Sequence, residues 1–242
     1  MVMTMIMRMP TIKRMNAEGM GDLALLRLMQ LVSPALPVGA YAYSQGLEAA
    51  VEAGWVHDEA TAAQWIDGVL AHGMAHADLP LLARLQAAWA AGDVASVSRW
   101  TDVLYALRET AELREEDCQL GGALAHVLVG LGVSEADEWL KRRPVAFATL
   151  FALAASHWRI PARQAVLGYA WTWAENQVAA AIKLVPLGQS AGQRMLSGVI
   201  VGLSGHIDLA LSLPDEALGR SAPGYALAST AHARQYSRLF RS

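Results

Sequence analysis

His72 and His76 lie four residues apart, a spacing that brings two imidazoles to one face of an α-helix. Imidazole is a common ligand of divalent metals, so the pair is a candidate metal site. Asp78 falls on a different side of an ideal helix, and no third ligand is evident. A pair of histidines on a half-exposed helix is usually structural. We therefore expect no metal site in this chain and keep a carrier that uses these two residues as an alternative.

The sequence also contains a motif that resembles the nucleophile elbow of serine hydrolases. The run from Ala42 to Gly46, AYSQG, is one residue short of the G-x-S-x-G nucleophile elbow and centres on Ser44. Such an elbow follows a buried strand, whereas prolines at 34 and 37 precede this serine. The sequence favours a structural role, in which Ser44 caps a helix and Glu48 interacts with its dipole.

Unpaired amides and one lysine stand between two apolar, helix-forming runs in the segment 175–196. Asn176 and Lys183 share one predicted helix face, and Val178 lies on another. After Pro186 and a glycine, a second helix is expected to carry two further glutamines. We expect the polar face to be available to a partner, although a kinked core helix with a solvated side explains the pattern equally well.

A polar stripe is predicted further upstream, where Arg108, Glu112, Glu115 and Gln119 recur at helical spacing. Glu116 and Asp117 widen its acidic surface beside Arg114. A solvated helix face with weak ion pairs accounts for this stripe, and a docking face is the functional alternative.

The last seven residues, YSRLFRS, place apolar side chains where chains usually fray. Tyr236, Leu239 and Phe240 alternate with Arg238 and Arg241. Either the rest of the fold or a partner protein must cover these side chains. We favour a partner, because tyrosine and arginine are typical interface anchors.

The elements that position these residues are predicted to be helical throughout. Asp58 and Asp93 stand directly before apolar-periodic runs and predict N-caps, the second for one helix that runs from 94 to 114. The two prolines near residue 35 predict an ordered loop before Ser44. We expect an all-α fold with about ten helices in a single domain over residues 23–242, after a disordered leader over residues 1–22.

Composition excludes several classes of protein. Hydrophobic residues make up 54% of the 242 residues, charged residues 17%, and the net charge of -3 gives no drive towards nucleic acid. The most apolar run, Met195 to Leu213, contains His206 and Asp208 and is predicted to be a buried helix and not a membrane span. One cysteine, Cys118, allows no internal disulfide and indicates a reducing compartment. The excess apolar surface indicates association with other proteins.

Four sequence blocks carry a family resemblance. They are SPALPVGAYAYSQGLE at 33–48, RETAELREEDCQLGGAL at 108–124, the segment 175–196, and YSRLFRS at 236–242. In order and spacing they resemble the urease accessory protein F (UreF) family. The resemblance implies a helical, homodimeric accessory factor. Such a factor bridges accessory protein D, called H in some species, and the GTPase accessory protein G, and the assembly delivers nickel to apo-urease.

The resemblance also implies roles for named residues. It places GTPase contacts at Asn176, Gln177, Lys183, Gln189 and Gln193, and D/H contacts at Tyr236, Arg238, Leu239, Phe240 and Arg241. The other motif residues are Ser44, Glu48, Glu112 and Arg114. The sequence contains no G-x-x-x-x-G-K-[ST] loop, so partners are expected to handle GTP and nickel. We therefore expect a cytoplasmic, non-catalytic protein that binds no cofactor and contacts neither membrane nor nucleic acid.

Overall fold

A computed structural model describes residues 20–242, and this part of the chain forms eleven α-helices and no strand. Three short 3-10 helices, Ala40–Ala42, Met74–His76 and Asp215–Ala217, lie between them. The prediction of an all-α fold with about ten helices is confirmed. The helices are α1 (Asp22–Leu31), α2 (Leu47–Glu52), α3 (Glu59–His72), α4 (Asp78–Ala90), α5 (Val94–Ala106), α6 (Ala111–Gly130), α7 (Ala136–Trp139), α8 (Phe147–His157), α9 (Ala162–Leu184), α10 (Gln189–Ser212) and α11 (Pro223–His232).

Side-chain caps explain where three of these helices begin. Asp58 accepts a hydrogen bond from the Thr61 amide at 2.8 Å before α3, and Asp93 accepts one from the Ser96 amide at 3.0 Å before α5. Both predicted caps are confirmed. Thr110 caps α6 in the same way, which splits the helix predicted over 94–114 into α5 and α6. That prediction was wrong because neither glycine nor proline marks the break.

The core is built around α8, in which every residue from Phe147 to Ala155 is buried. Helices α4, α6 and α9 pack against it, and α4 also contacts α5. α9 in turn packs along α10, which also contacts α3. A helix that is apolar on all sides is expected at such a central position.

One side of α10 faces the core and the other does not. Among the described residues, α10 is the one helix long and apolar enough to cross a membrane, by length and composition only. Leu203 and Ile207 are buried, whereas Ile200 and Val201 are 57% and 84% exposed. The predicted buried helix is therefore wrong for the outer side of α10.

The predicted leader, residues 1–22, lies mostly outside the described residues. Asp22, its last residue, is already the first residue of α1. The loop predicted around Pro34 and Pro37 is confirmed, since only turns and the 3-10 helix Ala40–Ala42 separate α1 from α2.

Candidate partner-binding site

The tail segment, which we define as residues 233–242, lies against the beginning of α2. The Glu48 carboxylate accepts hydrogen bonds from the amides of Leu239 and Phe240, at 2.7 and 2.9 Å. Bonds to an ionised acceptor are stronger than those between neutral groups. Glu48 therefore fixes the backbone of the tail segment from a helix that is far away in sequence.

A second attachment joins the end of the tail segment to the loop before α2. The main-chain oxygen of Ser242 accepts hydrogen bonds from the amides of Ser44 and Gln45, at 2.8 and 3.0 Å. The Ser44 hydroxyl donates to the same oxygen at 2.7 Å. Gln45 and Gly46 have φ angles of 54° and 82°, so the loop turns through the left-handed region. This turn allows two successive amides to reach one oxygen, as in an anion-binding nest.

His232, at the end of α11, bridges two carboxylates that also hold the tail segment. Its Nδ1 lies 2.9 Å from Glu112 and its Nε2 lies 3.3 Å from Glu48. Arg238 donates to the other oxygen of Glu112 at 2.8 Å. The His232 side chain is fully buried, so these contacts are shielded from water.

Glu116, on α6, hydrogen-bonds both the tail segment and the loop before α2. It accepts hydrogen bonds from the Ser242 hydroxyl and the Gln45 amide group, both at 2.6 Å. Burial raises the pKa of Glu116 to about 7, against these hydrogen bonds, which favour the ionised form. This carboxyl group therefore changes its charge near neutral pH.

A buried ionic cluster lies next to Glu116. The Arg108 guanidinium donates to Asp78 at 2.6 and 3.1 Å and to Asp117 at 3.0 Å. Burial opposes the charge of Arg108, but the two carboxylates raise its pKa above the usual value. Tyr169 donates to Asp78 at 3.3 Å, and burial raises its pKa as well. Removing one member of such a cluster leaves a buried charge unpaired, which costs about 3 to 5 kcal/mol.

The predicted polar stripe is wrong in its main feature. Arg108 precedes α6, and Glu116 and Asp117 are only 3% and 5% exposed. Glu115 and Gln119 remain exposed and hydrogen-bond each other at 2.8 Å. The spacing of these residues correctly predicted a helix, α6, but it did not show which side of that helix faces the core. Arg114 is half-buried and donates to the main-chain oxygen of Arg108 at 2.7 Å.

The face predicted on α9 is also largely buried. Asn176 is 7% exposed and donates to the main-chain oxygen of Tyr43 at 3.1 Å. Gln177 is fully buried, and Ala180 is 2% exposed. The expectation that the face of Asn176 is available to a partner is therefore wrong. Asn176 instead holds the loop before α2 in place.

Three of the predicted GTPase contacts are exposed, namely Lys183, Gln189 and Gln193. Lys183 Nζ lies 5.5 Å from the centre of the Phe240 ring, a distance typical of a cation–π contact. The two surfaces that the sequence separated therefore adjoin, because Phe240 belongs to the tail segment.

The side chains of the tail segment divide into two groups. Phe240 is 6% exposed and packs into this fold, whereas Tyr236 and Leu239 are 107% and 65% exposed. Arg238 and Arg241 are exposed beside them. The fold thus covers one of the three apolar side chains and leaves two exposed, one of which, Leu239, has its amide bonded to Glu48.

Comparison with known proteins identifies the family to which this arrangement belongs. The family model UreF matches residues 56–200. A urease accessory protein UreF from Marinobacter nauticus is 54% identical over 222 residues, which is 92% of this chain and 96% of that protein. The protein of the same name from Alkalilimnicola ehrlichii is 50% identical over 228 residues, 94% of this chain and 100% of that protein. The chain belongs to the UreF family.

In this UreF chain, Ser44 has no geometry for a nucleophile. It is fully buried, its hydroxyl donates to Ser242, and it accepts from the Glu48 amide at 3.3 Å. The residue that caps α2 is Gly46 and not Ser44. Ser44 therefore stabilises the start of α2 and anchors the tail segment.

The two histidines that suggested a metal site do not share a helix in this UreF chain. α3 ends at His72, Gly73 breaks it, and His76 lies in the following 3-10 helix. The prediction that both face one side of one helix is therefore wrong. Within residues 20–242, no group of three or more His, Cys, Asp or Glu is placed to hold a metal ion.

Several anchors of the tail segment of this UreF chain were not predicted from the sequence. His232 is separated by 120 residues from Glu112 and by 184 from Glu48, so no local spacing signals the contact. Gln45 and Ser242 lie inside recognised motifs, but nothing in their residue types indicates that they meet. Long-range pairing of this kind follows from the packing of helices and not from sequence period.

Proposed function

We propose that this UreF-family chain is a non-catalytic scaffold in urease maturation. It binds accessory protein D/H and the GTPase accessory protein G and thereby supports GTP-dependent insertion of nickel into apo-urease. The partners bind nickel and GTP, and the chain itself needs no cofactor. In this proposal the chain acts in the cytoplasm as a homodimer, without contact to membrane or nucleic acid.

The observation that carries the proposal is the exposure of Tyr236 and Leu239 in a segment whose backbone is hydrogen-bonded to Glu48 at Leu239 and Phe240. Both side chains are more than half exposed, while Glu48 holds the Leu239 amide at 2.7 Å. An ordered apolar anchor loses little conformational entropy on binding, which is how interface hot spots act. Arg238 and Arg241 add positive charge at the rim. We assign this surface to D/H, a partner expected to present an apolar depression with acidic neighbours.

The adjoining surface is assigned to the GTPase. Lys183, Gln189 and Gln193 are exposed there, whereas Asn176 and Gln177 are buried and support the surface from inside. Lys183 also contacts Phe240 of the tail segment. Two partners that bind adjoining surfaces of one chain are brought close together, which is what a bridging scaffold requires.

The buried polar groups support a structural role over a catalytic one. Arg108 is engaged by Asp78 and Asp117, and Glu116 is engaged by Gln45 and Ser242. Such mutual pairing stabilises the interior. A catalytic acid or base would instead need to meet a substrate.

Point variants test the two assignments separately. Replacing both Tyr236 and Leu239 by alanine is expected to weaken D/H binding by about tenfold or more, and Lys183→Ala is expected to weaken GTPase binding. Affinity is measured by calorimetry with each purified partner. Exposed residues elsewhere supply matched controls, Trp55→Ala for the first variant and Lys141→Ala for the second.

These point variants test partner binding more specifically than removal of the whole tail segment would. Phe240 and Ser242 are 6% and 1% exposed, so truncation would also disturb the fold. Unchanged binding of both partners to both variants, with helical content intact, would contradict the proposed surfaces.

A further inference from the structure

His232 lies where α11 and the tail segment meet α2 and α6. Its side chain is fully buried, with Nδ1 2.9 Å from Glu112 Oε2 and Nε2 3.3 Å from Glu48 Oε2. Both ring nitrogens therefore face a carboxylate oxygen. A neutral imidazole has only one N–H donor, so its second nitrogen would point a lone pair at one of these oxygens. The imidazolium form, in which both nitrogens are donors, satisfies both contacts.

A proton on one of the two carboxyl groups would be the alternative, and the other contacts of these groups oppose it. Glu48 accepts hydrogen bonds from two main-chain amides of the tail segment, and Glu112 accepts one from Arg238 through its second oxygen. Hydrogen bonds to a carboxylate stabilise its ionised form, and so does a neighbouring guanidinium. The proton that both contacts require therefore belongs to the His232 ring.

The charges around the ring balance only when this proton is present. Glu48 and Glu112 bring two negative charges to the buried side chain, and the Arg238 guanidinium supplies one positive charge. A protonated His232 supplies the second positive charge. A neutral ring would leave one carboxylate without a counter-charge beside a fully buried side chain, which is unfavourable.

Two further carboxyl groups hold the tail segment through residues other than His232. Gln235 donates to Glu52 of α2, and the Ser242 hydroxyl donates to Glu116 of α6. Burial raises the pKa of Glu116 to about 7, so this group titrates in the same range of pH as an ordinary histidine. A pH dependence that comes from His232 must therefore be measured with Glu116 replaced by glutamine.

We propose that His232 is a positioning residue, whose imidazolium form holds Glu48 and Glu112 where they can bind the tail segment. The Glu48 carboxylate then accepts the amides of Leu239 and Phe240. Loss of the proton turns one ring nitrogen into an acceptor that faces a carboxylate oxygen, so that contact becomes repulsive. The tail segment is therefore expected to become more mobile as the pH rises. The consequence for binding of D/H rests on the proposed function, whereas the charge of the ring does not.

The charge of the ring is measured by NMR on the purified full chain, with 15N in its histidine rings. The chain has seven histidines, and His232→Gln identifies the signals of His232. At about pH 7 we expect a proton on each ring nitrogen of His232, whereas an ordinary histidine is mostly neutral at this pH. A neutral His232 ring at this pH, in a chain whose tail amides are protected from exchange, would overturn the proposal.

The positioning role is tested by hydrogen exchange at the amides of Leu239 and Phe240, in the Glu116→Gln background. Between about pH 6 and 9, their protection, corrected for the intrinsic exchange rate, should fall by about tenfold or more relative to that of α8. In the double variant with His232→Gln, protection should be low already at the lower pH and should no longer change with pH, because glutamine carries no charge.

His57→Gln, at an exposed histidine, is the matched control and should leave the exchange of the tail segment unchanged. Tail protection that does not change with pH while His232 is present would overturn the proposal. So would equal protection with and without His232→Gln. The pH profile of the chain that keeps His232 does not depend on whether the His232→Gln variant folds. Because the chain is measured alone, a failure to bind D/H would contradict the proposed function and leave this result unaffected.

Discussion

Glu116 is a buried carboxyl group whose titration makes the stability of the fold depend on pH. It is 3% exposed and burial raises its pKa to about 7, well above the value of 4.5 expected in an unfolded chain. The folded protein therefore keeps this proton over a range in which the unfolded chain has lost it. The stabilising contribution is fully present below pH 4.5 and is lost as the pH rises through about 7.

A glutamine at this position removes the titration and keeps the size of the side chain. Between pH 4.5 and 7, the free energy of unfolding of the wild type should fall relative to that of Glu116→Gln, by about 1 to 3 kcal/mol. Urea denaturation of both proteins across this range measures the difference. Glu138→Gln, at an exposed site on α7, is the control and should leave the slope unchanged. Parallel pH profiles for Glu116→Gln and wild type would show that Glu116 titrates normally.

The sequence correctly predicted the exposure of some site residues and not of others. Tyr236 and Leu239 stood out because apolar side chains at a chain end need an explanation, and the structure leaves both exposed. Asn176 and Gln177 were placed on the wrong side of their helix. A period of 3.6 residues defines faces, but α9 packs on several helices, so most of its faces are internal.

Among the helices, α10 bears most directly on assembly. Ile200 and Val201 form an exposed apolar area, and the nearby charges are satisfied within the chain, since Arg194 donates to Glu59 at 2.6 and 2.9 Å. A face that offers apolar contact and few charges is typical of homodimers. If the chain is a homodimer, as proposed, we expect the outer side of α10 to contact the second copy.

A single charge on this face tests the assignment. Val201→Asp should raise the dimer dissociation constant by about tenfold or more, because an unpaired carboxylate would be buried between the two copies. Val201 is 84% exposed, so the fold of the monomer should not change. Sedimentation velocity measures the dimer, with Val129→Asp on α6 as a control that should stay dimeric. If Val201→Asp also stays dimeric, another face, such as that of Leu23 and Leu26 on α1, must form the contact.

Helix boundaries were predictable where a cap residue marked them. Asp58 and Asp93 are such residues, and both caps are present. The break before α6 was missed although threonine is a common N-cap residue, because Thr110 stands in a run without glycine or proline; its hydroxyl accepts from the Leu113 amide. A cap residue thus located a helix start only where it was recognised as a cap.

In the folded molecule, the four sequence blocks that carry the family resemblance contact one another. Glu48, Glu112 and Glu116 come from two of them and bind the fourth, while Lys183 of the third contacts Phe240. No spacing argument predicted this convergence, since the residues involved are far apart in sequence. The family resemblance indicated that the blocks matter, and the packing of the helices supplies the physical reason.

The scaffold role is tested most directly by the mass of the assembled complex. The purified chain is mixed with its cognate D/H protein and then with the GTPase and its nucleotide, and the masses are measured by size exclusion with light scattering. We expect one ternary complex that contains two copies of the 25.9 kDa chain together with both partners. A folded chain that elutes at its own mass in the presence of both partners would contradict it.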